Sequence, residues 1–173
     1  RKLVVRGNMS GGFMSGIQLS YHKPATRDSV KLFAPGMIYG TTDHLTAESI
    51  GGKDSKDFIR IREDRLPAPL FGAYFENGFS LCVLNSKPDA RTIKEDSRDL
   101  EAKIIIEEGL RFGAIGADFN KEKPEFGYWF PGTEGGITYK GMTYPYGQMK
   151  KWSRRYHPIN EGLRQEYQVS FRI

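Results

Sequence analysis

Cysteine and histidine are scarce in this sequence, with one cysteine and three histidines among 173 residues. A lone Cys82 excludes a disulfide within the chain and a cysteine-based metal site. Because Cys82 lies in an apolar run with no histidine nearby, we interpret it as a buried structural thiol and not as a nucleophile. His22, His44 and His157 lie far apart, so we predict no histidine metal site and interpret each as a surface or capping residue. No cofactor is therefore expected.

Other patterns are also missing. The sequence has no G-x-S-x-G nucleophile elbow and no phosphate loop. Residues 109–116 are glycine-rich, but their alternation is typical of a strand and not of a phosphate cradle. No apolar run approaches the roughly 20 residues that span a membrane as a helix. These absences argue against three classes of protein: nucleophile-elbow hydrolases, phosphate-loop enzymes and membrane-spanning chains.

The composition itself favours β-structure. Hydrophobic residues make up 38% and charged residues 27%, which is normal for one folded domain of this length. Glycine (20 residues), phenylalanine (11) and tyrosine (9) stand out. Aromatic residues favour strands and glycine favours the turns between them, so the composition predicts many strands with short connections.

Alternating apolar residues predict where the strands lie. In residues 13–21 the apolar side chains occupy positions 13, 17, 19 and 21, which gives one buried face with Ser15 as its exception. Asn77-Gly78 separates two strand patterns and supplies the two positive-φ residues of a type I′ hairpin turn. The predicted strands are 3–5, 13–21, 58–62, 70–75, 79–84, 103–107, 110–119, 126–130, 137–144 and 166–173.

Helix signals are few. Residues 43–50 could form two turns that end at Gly51-Gly52, and Thr92 to Glu95 fits a capping box, although a loop fits that polar stretch equally well. Many strands without intervening helices predict an all-β fold, an antiparallel β-sandwich of the supersandwich kind with one or two short helices. We expect residues 1–173 to form a single domain. The strand pattern that runs to residue 173 and the start without Met suggest an excised segment of a longer chain.

Arg62-Glu63-Asp64-Arg65 is the acidic cluster most open to a catalytic interpretation. A glycosidase needs two carboxylates flanking the scissile bond, one of them with a raised pKa. Acids between arginines should instead have lowered pKa values, so we interpret Glu63 and Asp64 as members of a structural ion-pair cluster. No residue is predicted to be catalytic.

An aromatic group in the C-terminal third is the feature most open to a binding role. Exposed flat rings stack on sugar faces, whereas neighbouring aromatics on a strand point to opposite sides and can equally fill a core. Trp129 is expected to be structural and Trp152 to face solvent. The carbohydrate-binding candidates are Trp129, Tyr144, Tyr146, Trp152 and Tyr156.

The net charge of +5 permits a polyanionic partner but does not require one. The one dense basic run contains Lys150, Lys151, Arg154 and Arg155. A solvated face and a polyanion-binding site both remain open for this run. Elsewhere lysine and arginine alternate with acids, so the basic stripe of a typical nucleic-acid-binding domain is not predicted.

Three strings carry a resemblance to a known group: APGMIYG at 34–40, HLT at 44–46 and IRIREDRLPAPLFG at 59–72. With NGFS at 77–80 and VLN at 83–85 they extend the resemblance over residues 34–85. They resemble the N-terminal β-sandwich of large bacterial six-hairpin glycosidase-like proteins, which are common among polysaccharide degraders. In such proteins the sandwich packs against an α/α-barrel that holds the catalytic carboxylates. The resemblance implies a carbohydrate context and a periplasmic or extracellular location.

The resulting hypothesis is a non-catalytic accessory sandwich. It would line or brace the cleft of a downstream catalytic domain of the same chain, with a poly- or oligosaccharide as the ligand. An autonomous carbohydrate-binding module and a polyanion-binding domain are the alternatives. The first predicts an exposed apolar patch, the second sugar affinity without a partner, and the third binding that weakens steeply with salt.

Overall fold

The structure is a computed structural model that describes residues 1–36, 38–40, 58–88, 104–132 and 154–173. For Gly40, Phe58 and Arg154 it describes the backbone alone. Two short 3₁₀ helices, Arg27–Ser29 and Glu63–Arg65, are the helical segments within these ranges. Neither is long and apolar enough to cross a membrane.

Fourteen strands make up most of the described chain. They are β1 (Lys2–Val4), β2 (Met9–Phe13), β3 (Ser15–Ser20), β4 (Val30–Ala34), β5 (Ile38–Gly40), β6 (Phe58–Arg62), β7 (Leu70–Phe75), β8 (Ser80–Leu84), β9 (Ile104–Ile106), β10 (Ala114–Asp118), β11 (Glu125–Phe130), β12 (Arg154–Ile159), β13 (Arg164–Glu166) and β14 (Ser170–Arg172).

The strands form four sheets, of which two are large. One has four strands in the order β3-β11-β10-β6, and the other has five in the order β14-β8-β7-β4-β5; every pair within them is antiparallel. A three-stranded sheet, β2-β12-β9, contains a parallel pair between β12 and β9. Strands β1 and β13 form a separate antiparallel pair. The fold is therefore all-β and sandwich-like, as predicted.

The hydrophobic core lies between the two large sheets, where β10 and β11 contact β7 and β8. Period-two alternation in the five-stranded sheet sends Val30 and Leu32 of β4, and Phe71, Ala73 and Phe75 of β7, into this core. The four-stranded sheet contributes Ile59, Ile61, Ile115, Ala117, Phe126 and Tyr128. Burial of these side chains is the main stabilising contribution of the fold.

Several predicted strands are confirmed at or near their predicted bounds, among them 58–62, 70–75, 79–84 and 126–130. The single strand expected over residues 13–21 is instead divided at Met14 into the end of β2 and all of β3, which pair with different strands. Strands β4, β5 and β12, most of β2 and the start of β13 were not predicted, and the single strand expected over residues 166–173 is instead split into the end of β13 and all of β14. The helix at 43–50, the capping box at 92–95 and the strand at 137–144 lie outside the described residues.

The β7–β8 hairpin forms where Asn77-Gly78 predicts it, but its turn is of another type. Gly78 has φ +83°, whereas no residue other than glycine has positive φ among the described residues, so Asn77 cannot occupy a type I′ turn. The amide of Gly78 donates to the carbonyl of Phe75 (3.0 Å) and the amide of Phe75 donates to the carbonyl of Phe79 (2.9 Å). This is a three-residue loop with glycine in the left-handed position of a bulge.

Candidate functional site

The outer face of the five-stranded sheet, opposite the core, carries the most exposed aromatic side chains of the described chain. Because β4 buries Val30 and Leu32, it presents Lys31 and Phe33 to the outside. Strand β7 presents Gly72 and Tyr74 in the same way. We call this surface the aromatic face; its residues are Lys31, Phe33, Tyr39, Gly72, Tyr74, Ser80, Cys82 and Arg172.

The register places these residues in rows across the sheet. Tyr39 lies opposite Phe33, which lies opposite Gly72, and Gly72 lies opposite Cys82. Cys82 in turn lies opposite Arg172 of β14. A second row consists of Lys31, Tyr74 and Ser80. Hydroxyl groups, aromatic rings and two cations therefore share one side of the sheet.

Three rings on this face remain open to solvent, with 42% of Phe33, 59% of Tyr39 and 49% of Tyr74 exposed. Phe33 and Tyr39 meet edge to face with ring centroids 5.4 Å apart. The backbone amide of Gly36 donates a 2.6 Å hydrogen bond to the Tyr39 hydroxyl. These contacts hold the Phe33–Tyr39 pair in a defined orientation while leaving ring surface available.

A shallow groove of about 510 Å³ runs over Gly72, between Phe33 and Tyr74. Gly72 forms the floor of the groove because it has no side chain. A Cβ at this position would lie 3.7 Å from Phe33 Cβ, which is an ordinary contact distance, so the space above Gly72 is open. Lys31 and Arg172 lie at its edges. No Asp or Glu side chain is among the described residues that line it.

Cys82 is half-buried and lines this groove, so the thiol is less buried than expected. Period-two alternation in β8 sends Leu81 and Val83 into the core and leaves Cys82 on the outer face. Burial raises the pKa of the thiol, and the nearby charge of Arg172 opposes that rise. A raised pKa keeps the thiol protonated and makes it a poor nucleophile, in agreement with its interpretation as unreactive.

Glu63 is buried, and its carboxylate is bound by hydrogen-bond donors from distant parts of the chain. Its Oε1 accepts hydrogen bonds from the Gly113 amide (2.5 Å) and the Tyr128 hydroxyl (3.0 Å), and its Oε2 accepts one from Asn85 Nδ2 (2.7 Å). The backbone amide of Glu63 donates to the Gly113 carbonyl (2.9 Å), which completes a two-way link.

The pKa of Glu63 is raised, mainly because the carboxyl is desolvated, while its hydrogen bonds and the Asp64 charge act in opposite directions as smaller effects. The expectation of a lowered pKa is therefore wrong for this residue. The groups that act on the pKa of Glu63 are instead its hydrogen-bond donors Gly113, Asn85 and Tyr128 and the charge of Asp64.

Asp64 does form the expected ion pair. Arg62 binds it through Nε (2.9 Å to Oδ1) and Nη2 (2.5 Å to Oδ2), and both side chains are almost fully buried. The Arg62 guanidinium also lies 4.2 Å from the centroid of the Phe112 ring. A bidentate pair packed on an aromatic ring holds the turn after β6 in place. Neither Glu63 nor Asp64 is open to a substrate.

His157 is buried, with 1% of its surface exposed, so its interpretation as a surface or capping residue is wrong. Its Nε2 lies 2.9 Å from the Leu110 carbonyl and its Nδ1 lies 2.7 Å from Gln165 Nε2. A carbonyl needs a donor and an amide nitrogen offers one, so Nε2 carries the proton and Nδ1 accepts. Burial lowers the pKa of His157 and keeps the ring neutral.

The chain of hydrogen bonds continues from Gln165 to Ser15, the polar exception on the buried face of β3. Ser15 Oγ donates to Gln165 Oε1 (2.6 Å) and lies 3.3 Å from the Tyr167 hydroxyl. These polar groups satisfy one another inside the protein, where Ser15, His157 and Gln165 are all buried. The network is therefore structural.

The predicted aromatic candidates do not form one platform in the described residues. Trp129 is buried, 4% exposed, and the Arg60 guanidinium lies 4.1 Å from the centroid of its ring. This agrees with its expected structural role and removes it as a sugar-stacking candidate. Tyr156 is half-buried. Tyr144, Tyr146 and Trp152 lie outside the described residues.

The basic run is likewise not a solvated patch where the structure describes it. Arg155 is 2% exposed and its guanidinium lies 5.7 Å from the Phe112 ring centroid. Arg154 is described by its backbone alone, and Lys150 and Lys151 lie outside the described ranges. Arg155 therefore does not contribute to a polyanion-binding surface.

Phe33, Tyr39 and Tyr74 were missed by the sequence analysis. The signal for Phe33 and Tyr74 is the alternation within β4 and β7. Apolar residues at every second position face the core, so the aromatic residues between them face outward. In the part of the chain that the structure describes, no group of three or more His, Cys, Asp or Glu side chains is arranged to hold a metal ion.

Comparison with known proteins gives no relative from which a role could be transferred. The chain matches no protein family model, no curated protein and no solved structure.

Proposed function

We propose that this chain is a non-catalytic accessory β-sandwich of a carbohydrate-active protein and that it contacts saccharide through the aromatic face. The observation that carries the proposal is the pair of exposed rings at Phe33 and Tyr74 on either side of the floor at Gly72, with the exposed ring of Tyr39 packed against Phe33. Flat rings stack on the apolar faces of pyranose rings, and the hydroxyls of Tyr74 and Ser80 can hydrogen-bond the sugar edges.

The positions of the described acids support a non-catalytic role. Glycoside hydrolysis needs a general acid and a second carboxylate on opposite sides of an open site, at most about 10 Å apart. Glu63 and Asp64 both lie in the interior, each with its oxygens occupied by protein donors. No described acid lines the groove on the aromatic face. The parent protein would therefore rely on a downstream catalytic domain, in keeping with the resemblance.

A second candidate function involves the same surface. An apolar face of this kind also suits packing against a downstream catalytic domain, with the sandwich bracing that domain instead of binding glycan. The two candidates differ in the isolated chain. A saccharide-binding face retains its affinity without a partner, whereas a bracing face does not bind glycan at all.

Affinity electrophoresis of the isolated chain through gels that contain soluble polysaccharides tests the proposal. We expect retardation in at least one gel, loss of retardation in Phe33→Ala and Tyr74→Ala, and no release of reducing sugar. Ile104→Ala is the control, because Ile104 is also exposed but lies on β9 of a different sheet. Retardation that persists in both aromatic variants, or hydrolysis by the isolated chain, would overturn the proposal.

A further inference from the structure

The charged side chains that line the groove on the aromatic face are all positive among the described residues. Lys31 and Arg172 line it, and no Asp or Glu side chain of the described residues does. Among the described residues, neither cation takes part in an ion pair. Elsewhere on the surface lysines do pair with acids, as Lys2 does with Glu166 (3.1 Å) and Lys121 with Glu125 (2.7 Å). The groove is thus complementary to a ligand of negative charge.

The position of the two cations indicates the size of that ligand. Lys31 is on β4 and Arg172 is on β14, with β7 and β8 between them. Three strand spacings place their backbones about 14 Å apart across the sheet, and each long side chain can bind its own negative group there. An extended ligand that carries more than one negative group can therefore engage both cations at once.

The surface between the cations indicates what connects those groups. It consists of the rings of Phe33 and Tyr74, the floor at Gly72 and the thiol of Cys82. A ring-shaped unit with an apolar face fits this floor, and its polar edge can meet the Tyr74 and Ser80 hydroxyls. A single-stranded nucleic acid also stacks on rings, but it presents one phosphate per nucleotide and favours a longer row of cations than two.

We infer that the ligand of the aromatic face is an acidic polysaccharide, a polyuronate or a sulfated glycan, whose negative groups lie at Lys31 and Arg172 while a sugar ring lies over Gly72. This inference rests on the proposed function and names the class of glycan. It differs from the basic run at 150–155, which is on another part of the chain.

The test uses two pairs of ligands that share a backbone and differ in charge. Polygalacturonate is compared with its methyl-esterified form, and dextran sulfate is compared with dextran, by isothermal titration on the isolated chain. We expect at least one charged polymer to bind about tenfold more tightly than its neutral counterpart, since two exposed ion pairs contribute up to a factor of about five each. That preference should shrink as salt increases.

Variants assign the binding to the groove. Lys31→Gln with Arg172→Gln should remove the preference for the charged polymer while weak binding of the neutral one persists. Lys23→Gln with Arg6→Gln is the matched control, because both residues are exposed and neither lines the groove. Gly72→Val should weaken every saccharide, since its Cβ fits the backbone without a clash and its methyl groups fill the floor.

Cys82 provides a local readout because it is the one cysteine of the chain and lines the groove. Bound acidic glycan should slow alkylation of the native thiol by iodoacetamide, and should leave the rate unchanged in urea-unfolded chain. This distinguishes a ligand on the aromatic face from one bound elsewhere on the surface.

The possible failures separate the two proposals. Equal binding of charged and neutral polymers overturns the inference and leaves the proposed function in place. The same holds if the control variants lose as much affinity as the groove variants. Binding of no saccharide overturns both proposals. Tighter binding of a single-stranded oligonucleotide than of either acidic glycan, with the same protection of Cys82, overturns the assignment of the groove to a glycan.

Discussion

The hydroxyl of Tyr128 donates a 3.0 Å hydrogen bond to Oε1 of Glu63, although 65 residues separate them in the sequence. Tyr128 belongs to β11 in the four-stranded sheet, whereas Glu63 lies in the 3₁₀ turn that follows β6. In this sheet β6 is an edge strand and β11 is an inner strand. The bond therefore connects the turn after the edge strand to an inner strand of the same sheet. It also places a hydrogen-bond donor on a carboxyl that has almost no contact with water.

Tyr128→Phe removes that donor without changing the ring. We expect a loss of about 1–3 kcal/mol in the free energy of unfolding, because a buried acceptor then lacks one partner. The hydrogen bond lowers the pKa of Glu63, so its removal raises that pKa further. The loss should therefore be larger at high pH than at low pH.

Urea denaturation of the variant at several pH values measures this effect. Tyr167→Phe is the matched control, since Tyr167 is a buried tyrosine of the same core whose hydroxyl lies near Ser15 and not near Glu63. A loss of stability in Tyr128→Phe that is independent of pH would contradict the role assigned to this bond.

The raised pKa of Glu63 makes a second prediction. A carboxyl whose pKa is higher in the folded than in the unfolded chain favours folding while it is protonated, and this contribution is lost as the pH rises from its usual value of 4.5 through the folded value. Glu63→Gln cannot titrate. The stability of the native chain relative to Glu63→Gln should therefore decrease with rising pH.

Chemical denaturation of both proteins between about pH 4 and about pH 9 provides the comparison. An increase of the difference with pH would show that the folded pKa lies below 4.5. If Glu63→Gln does not fold, the carboxyl carbon shift of Glu63 in the native chain gives the same information, and a midpoint below 4.5 refutes the prediction.

Glu63 also shows why the sequence predicted the fold better than the site. Alternation is a local property, so β6, β7, β8 and β11 could be predicted from their own residues. The environment of Glu63 is not local. Its neighbours Arg62 and Arg65 suggested a lowered pKa, whereas its donors come from Asn85, Gly113 and Tyr128, which only the sheet order brings together.

The aromatic face was also not predicted, although in this case the signal is local to its strands. Phe33 and Tyr74 are exposed because the apolar residues on either side of them in the same strands face the core, and successive side chains of a strand point to opposite faces. Aromatic residues are densest on β11, but alternation there places Phe126, Tyr128 and Phe130 in the core. Trp129 lies on the other face of β11 and is buried beneath Arg60. The alternation within β4 would have been the better guide.

His157 gives a prediction with the opposite sign to that of Glu63. Burial lowers its pKa, and the charge of Arg111 adds to this effect, whereas the hydrogen bond to the Leu110 carbonyl and the charge of Glu108 oppose it. A histidine whose pKa is depressed by folding contributes stability above its usual value of 6.5, and this is lost as the pH falls through the folded value. The native chain should therefore lose stability on acidification below about pH 6.5 through this residue.

His157→Phe should remove this pH dependence and lower stability at neutral pH, because the Leu110 carbonyl and the Gln165 amide then lose their partner. His22→Phe is the control, since His22 is exposed and packs only at the edges of Tyr21 and Phe79. Two-dimensional NMR of the imidazole carbons follows both histidines directly. A His157 midpoint above 6.5 would contradict the neutral, Nε2-protonated ring.

The last prediction separates folding from binding by two aromatic truncations. Trp129 is buried beneath Arg60, so Trp129→Ala should leave a cavity and cost about 3–5 kcal/mol of the free energy of unfolding. Tyr74 is half exposed on the aromatic face, so Tyr74→Ala should cost at most about 1 kcal/mol, as is usual for the solvent side of a strand. Retardation by polysaccharide should change in the reverse order, lost in Tyr74→Ala and kept in Trp129→Ala at temperatures where that variant remains folded. Thermal melts and affinity gels on the same two preparations test both halves at once. If Trp129→Ala folds normally and loses binding while Tyr74→Ala keeps it, the saccharide contacts the opposite side of the sandwich.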